Sequence, residues 1–186
     1  MVLVHGGRGT AFDEWVRLWN GRGYAAIAVD LCGCVPLMPI PEIGVKYRRH
    51  EYAGPEGWDA SFEQMKWKTE DQWQFHAATA LLRAHTIIAN AEGVDPDRIG
   101  FFGVSTGGSL ALVAAADPRI AGDVAFVATL GSYYSLATLL QAATTGTILE
   151  DGELRHYEPH PYVWGVARNT LVTQLPDIED QRALYQ

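Results

Sequence analysis

A serine set in Gly103-Val104-Ser105-Thr106-Gly107-Gly108 constrains this chain more than any other feature. It follows the run Arg98-Ile99-Gly100-Phe101-Phe102, which reads as a strand, and precedes Thr106 to Ala116, a small-residue stretch that predicts a helix closed by Asp117-Pro118. A G-x-S-x-G pattern between strand and helix is the arrangement of a nucleophile elbow. Its glycines have a steric reason: the turn is so sharp that a Cβ at either flank would meet neighbouring backbone. The serine is lifted onto a helix N-terminus, where its hydroxyl is exposed and developing negative charge is favoured. The competing reading is a Gly/Ser loop without chemistry, and the strand before and helix after the motif argue against it.

The rest of the chain alternates in the same way. Short apolar runs at residues 2–5, 24–29, 98–104 and 124–130 predict four strands. Phe12, Trp15, Val16 and Trp19 fall at spacings of three and four, one face of a helix ended by Gly21 and Gly23. Trp73, Ala77, Ala80, Leu81, Ala84, Ile87 and Ile88 make an apolar stripe along a predicted helix over residues 70–90. Strands separated by helices imply a parallel sheet with right-handed crossovers. Between Leu31 and Thr69, prolines at 36, 39, 41 and 55 predict mostly loop, and a loop of that length usually has a task. Trp58, Phe62 and Trp67 read either as an apolar wall for an acyl or aryl group or as a satellite cluster pinning the loop to the body.

At 186 residues the chain is long enough to bury a core as one domain. Its formal net charge of −8 argues against a nucleic-acid or anionic-membrane surface, because both need clustered Lys and Arg. The one basic knot, Lys46-Tyr47-Arg48-Arg49-His50, is short and reads as solvated loop. No apolar run approaches a membrane span, and no signal peptide is read at Met1. Cys32 and Cys34, one residue apart, suit neither a disulfide nor a C-x-x-C site and read as reduced thiols in a cytoplasmic chain. No metal site and no cofactor are expected.

A second glycine-rich loop, His5-Gly6-Gly7-Arg8-Gly9, follows the first predicted strand. Acyl transfer needs backbone N–H donors aimed at an oxyanion. Thr106, directly after the serine, would supply one, and Gly7 or Arg8 the other. His5 reads as a residue holding this loop by hydrogen bonding rather than as a base. A rival from another class is a dinucleotide-binding βαβ unit, with Gly7-x-Gly9 and Asp30 in the place of the ribose-binding acid. Its third glycine position is Phe12, too large for close helix–strand packing, and it leaves Gly103–Gly108 unexplained.

Val2-Leu3-Val4-His5-Gly6-Gly7, then Trp15, then Gly23-Tyr24 leading to Val29-Asp30-Leu31, resemble the α/β-hydrolase superfamily. The run Val94-Asp95-Pro96-Asp97-Arg98-Ile99-Gly100 to Gly103-Val104-Ser105-Thr106-Gly107-Gly108 is similar to its dienelactone-hydrolase, acetyl xylan esterase and prolyl-peptidase-like branches. The resemblance spans roughly residues 1 to 131. It implies a three-layer α/β core with strand order second, first, third, fourth, and a small-molecule or peptide acyl substrate. It also implies Ser105 as nucleophile, with an oxyanion hole made by the N–H of Thr106 and that of Gly7 or Arg8.

The same resemblance implies an acid after a later strand and a histidine after the last. Gly131-Ser132-Tyr133-Tyr134 stands where some relatives carry the acid, and no further strands are read. The expectation is therefore a core incomplete at both ends, residues 1–131, followed by a helical cap or lid, residues 132–186, and inactive by itself. His156 and His160 are the remaining candidates for a base, and Asp177 and Asp180 for an acid; all four read more simply as surface residues. A non-catalytic pseudo-hydrolase or interaction module is the alternative.

Overall fold

The structure, a computed structural model, describes residues 1–7, 9–36, 48–172, 175 and 177–183. The chain divides into two compact units, Met1–Ser132 and Tyr133–Gln186.

The first unit is built on four parallel strands: β1 (Val2–Val4), β2 (Ile27–Val29), β3 (Ile99–Val104) and β4 (Val124–Leu130), ordered β2-β1-β3-β4. This is the order that the resemblance, taken with right-handed crossovers, implied. Val2 pairs with Phe101 and Leu3 with Phe102, so neighbouring residues of β1 and β3 feed opposite faces of the sheet. On one face Val2, Val4, Ile99 and Phe101 join Trp73, Ala77, Leu81, Ala84 and Ile88 of α2 (Trp73–Ala89) and Leu110, Ala111 and Ala114 of α3 (Thr106–Ala115) in one core. On the other face Phe102 meets Trp15 and Trp19 of α1 (Asp13–Asn20) at ring-centroid distances of 5.8 and 6.2 Å. Helices thus cover both faces, as a parallel sheet requires.

Several boundaries differ from the sequence reading. The second strand starts at Ile27 rather than residue 24, because the Tyr24 N–H caps the end of α1 on the Trp19 carbonyl and its ring packs edge-on to Trp19. In α2 the expected stripe is buried except for Ala80, which is half-buried, and Ile87, which is 61% exposed; His85 is buried instead and stacks on Phe101. Residues 58–66 form a 3₁₀ segment, Trp58–Lys66, inside the stretch expected to be loop. Its Gln64 is buried: the amide oxygen accepts the Trp73 N–H at 2.7 Å and the amide nitrogen donates to Glu56 at 2.6 Å. That satisfies a donor that the start of α2 leaves without an intrahelical partner.

The second unit contains α4 (Leu136–Thr145), β5 (Thr147–Glu150), β6 (Glu153–His156), α5 (Pro161–Val172) and α6 (Ile178–Ala183). Helices and loops without further strands were expected here, and the antiparallel β5–β6 hairpin corrects that. Its turn is Asp151-Gly152, with φ of 52° and 83°. Positive φ at both central residues is the geometry that matches the twist of paired strands. The α4 helix opens on Ser135, whose hydroxyl accepts the Thr138 N–H, and closes on left-handed Gly146.

Candidate functional site

Ser105 sits between β3 and α3 with φ 53° and ψ −130°. Among the described non-glycine residues only Asp151 of the hairpin turn shares a positive φ. Such a conformation persists only where the surroundings enforce it, and here they are visible. The Ser105 N–H donates to the Leu130 carbonyl at 2.8 Å, tying the turn to β4. A Cβ on Gly103 would lie 2.5 Å from the Gly108 Cα, and one on Gly107 would collide with the His5 carbonyl oxygen. A Cβ on Gly108 would collide with Ser132 Oγ, a buried hydroxyl with no hydrogen-bond partner among the described residues. The glycines therefore let α3 start directly beneath β1 and β3. Ser132 is a wall of the elbow that the sequence reading passed over; its place just after β4 was the available signal.

The glycine loop after β1 lies against this serine. A Cβ on Gly6 would stand 3.3 Å from Ser105 Cβ and 3.9 Å from its Oγ, so Gly6 comes close because it lacks one. The loop is closed by the Gly9 N–H donating to the Gly6 carbonyl at 3.0 Å. Gly7 lies within this turn, and Thr106 is the first residue of α3. Arg8 lies outside the described residues.

His5 is buried behind the loop. Its Nε2 accepts the Leu31 N–H at 2.9 Å, so the neutral ring carries its proton on Nδ1, 2.6 Å from the Gly6 carbonyl. Burial lowers its pKa; the Gly6 bond and the Asp30 carboxylate, 3.9 Å away, oppose that shift and do not overcome it. A histidine with both nitrogens engaged by backbone holds a loop, as the sequence reading expected. Asp30 is engaged too: it accepts from the N–H groups of Cys32 and Cys34 at 2.8 and 2.9 Å and from Thr10 Oγ1 at 3.1 Å. A dinucleotide's ribose would have to share this carboxylate with three donors already in place.

No described residue hydrogen-bonds to Ser105 Oγ. Of the other histidines in the first unit, His85 is buried against Phe101, and His50 and His76 line a separate concavity. His156 and His160 belong to the second unit and stand four residues apart; His156 ends β6 and His160 precedes α5, so they do not share a helical face. Among the described residues no three His, Cys, Asp or Glu side chains converge as metal ligands. Asp177 lies before α6, where its carboxylate accepts the N–H groups of Glu179 and Asp180. The side chains of Trp58 and Phe62 lie outside the described ones, and Trp67 is half exposed. Among the described residues no helix is long and apolar enough to cross a membrane.

Residues 58–160, more than half of the chain, match the acetyl xylan esterase family. The chain belongs to that family. The matched stretch runs through α2, β3, the Ser105 elbow, α3 and β4 and on through the hairpin of the second unit. Membership sets the four-stranded sheet within the α/β-hydrolase superfamily. It also makes esters the acyl compounds to consider first. Comparison with curated proteins gives no match.

Proposed function

We propose that the chain acts as a serine esterase on a small-molecule acyl ester, with Ser105 as nucleophile. The observation that carries this reading is the positive-φ serine at a strand-to-helix turn, with the Gly6–Gly7 loop packed against it. In this reading Ser105 Oγ attacks the ester carbonyl carbon and gives up its proton. The oxygen that becomes negative lies between the N–H of Thr106 and that of Gly7, with Arg8 the further candidate. Collapse expels the alcohol, which takes up a proton, and water then cleaves the acyl-serine. Fixed amide donors are suited to this role because they cost no reorganisation as charge develops.

A nucleophile without a base is weak, yet an oxyanion hole and binding alone retain roughly 10³–10⁴-fold catalysis over water. The test is therefore labelling rather than turnover. The 186-residue chain is incubated with a fluorophosphonate and digested for mass spectrometry. Slow phosphonylation confined to Ser105, and lost in Ser105→Ala, is expected. Labelling that is equal in Ser105→Ala would overturn the assignment. The lack of a partner for Ser105 Oγ among the described residues favours one second reading, a non-catalytic module on the same fold, and complete resistance to the probe would count towards it.

A further inference from the structure

A concavity of about 470 Å³ opens on the first unit, and Ser105 is not among the residues that line it. It lies within the roughly 300–1,000 Å³ range of small-molecule sites. Its floor is the chain from Asp30 to Gly33 with the Trp73 ring, whose Nε1–H donates to the Leu31 carbonyl at 2.6 Å. One wall is a face of α2 carrying His76, Thr79, Ala80 and Arg83, at helical spacings of three and four. The other wall is residues 50–55.

This second wall is built, not draped. Val35 N–H donates to Arg48 at 2.8 Å and His50 N–H to Gly33 at 3.1 Å, pairing the two loop segments. The Arg49 guanidinium binds the Gly54 carbonyl and lies 3.8 Å from Glu56. A Cβ on Gly54 would sit 3.3 Å from the His76 ring, so wall and helix are in close register.

The polar groups left over define what fits. Asp30 is committed to three donors, and Arg49 to its own loop. Arg83 is exposed and makes no ion pair among the described residues, in a chain of net charge −8. His50 Nδ1 accepts the Tyr52 N–H at 3.1 Å, which leaves its second nitrogen to donate. Tyr52 and Phe75 are aromatic side chains exposed at the rim, 85% and 46%. Phe75 stands edge-on to His76, with ring centroids 6.1 Å apart.

We propose that this concavity binds a small aromatic carboxylate. The carboxylate is held by Arg83 and the Nε2–H of His50, and the ring lies against Tyr52 and Phe75. A guanidinium pairs two-pronged with a carboxylate, and flat rings bury area against aromatic side chains. Neither group alone explains why an unpaired cation and two exposed rings share one hollow.

Benzoate is the probe, titrated calorimetrically into the whole 186-residue chain. Saturable binding is expected, at least about tenfold weaker in Arg83→Gln and intermediate in Arg83→Lys, which keeps charge and loses the fork. Benzyl alcohol, a ring without charge, should bind at least about tenfold more weakly, and cyclohexanecarboxylate, a charge without an aromatic ring, about two- to tenfold more weakly. Protein phosphonylated at Ser105 should bind benzoate unchanged. Arg83 is exposed, so its replacement leaves the fold intact, and circular dichroism checks this. No saturable benzoate binding, equal affinity in Arg83→Gln, or loss of binding on Ser105 modification would each overturn the proposal.

Discussion

The Leu31 main-chain N–H donates to Nε2 of His5 at 2.9 Å, and this bond joins the loop after β1 to the chain leaving β2. His5 is 1% exposed, and its other nitrogen lies 2.6 Å from the Gly6 carbonyl. One neutral ring thus ties the Gly6 loop, which lies against the strained serine, to the chain leaving β2. A proton on Nε2 would turn the acceptor into a donor facing another donor.

That relationship makes stability depend on pH. Burial depresses the His5 pKa below its ordinary 6.5. The unfolded chain then binds more protons than the folded one as pH falls through 6.5, so stability contributed by neutral His5 is complete above that value and declines below it. Thermal melts from pH 8 to pH 5 should show a Tm that is steady at the alkaline end and falls below about pH 6.5. Glutamine can accept the Leu31 N–H but does not titrate. His5→Gln should therefore have a flatter Tm–pH profile than the parent, and an unchanged slope would show that other groups carry the effect.

The close approach of α3 to β1 gives a graded test at three glycines. A Cβ on Gly107 would run into the His5 carbonyl, whereas Gly93 and Gly122 have open space around theirs. Gly93 has φ +78°, and no positive φ occurs at Gly122. Urea denaturation should rank the alanine variants accordingly. Gly107→Ala should lose about 3 kcal/mol by overpacking against backbone that cannot yield. Gly93→Ala should lose about 1 kcal/mol through left-handed strain, and Gly122→Ala should change stability by less than about 0.5 kcal/mol. Equal losses at all three would mean that α3 is free to move away from β1.

The thiols offer a third measurement. Burial, then the nearby Asp30 carboxylate, pushes Cys32 up to about 12, and Cys34 is raised by the same causes. The thiolate is the reactive species, so both should resist alkylation in the folded chain. Iodoacetamide at pH 8 should modify the two cysteines at least about tenfold more slowly in buffer than in urea, with Cys32 the slower. Rapid native labelling of Cys32 would show that the loop after β2 opens readily.

What the sequence made legible was local and steric. The elbow could be read because a serine at positive φ needs small residues at 103, 107 and 108, and those letters are present. Strand order followed from the family resemblance together with crossover handedness. Gln64 was not legible, since its partners Glu56 and Trp73 lie eight and nine residues away and no pattern links them. Neither was the concavity beside Arg83, which exists only where residues 30–33, 50–55 and 73–83 meet. The hairpin of the second unit was legible and was passed over. Asp151-Gly152 between Thr147–Glu150 and Glu153–His156 is a strong short-range hairpin signal, obscured by the expectation of a helical cap.

Among the described residues β4 pairs with β3 alone and forms one edge of the sheet. All its residues but Thr129 are apolar, yet Phe126 is 44% and Leu130 64% exposed. An apolar edge strand with open main-chain donors and acceptors invites pairing with another chain. Light scattering should show concentration-dependent association of the 186-residue chain. Lysine on an edge is the standard obstacle to such pairing, so Leu130→Lys should suppress it while leaving the Leu130 carbonyl to accept the Ser105 N–H. Leu18→Lys is the control: Leu18 is 54% exposed on α1, a helix with no strand edge to offer. If association arises from β4 pairing, only Leu130→Lys relieves it. If both substitutions relieve it equally, scattered apolar surface is the cause and the edge has no special part.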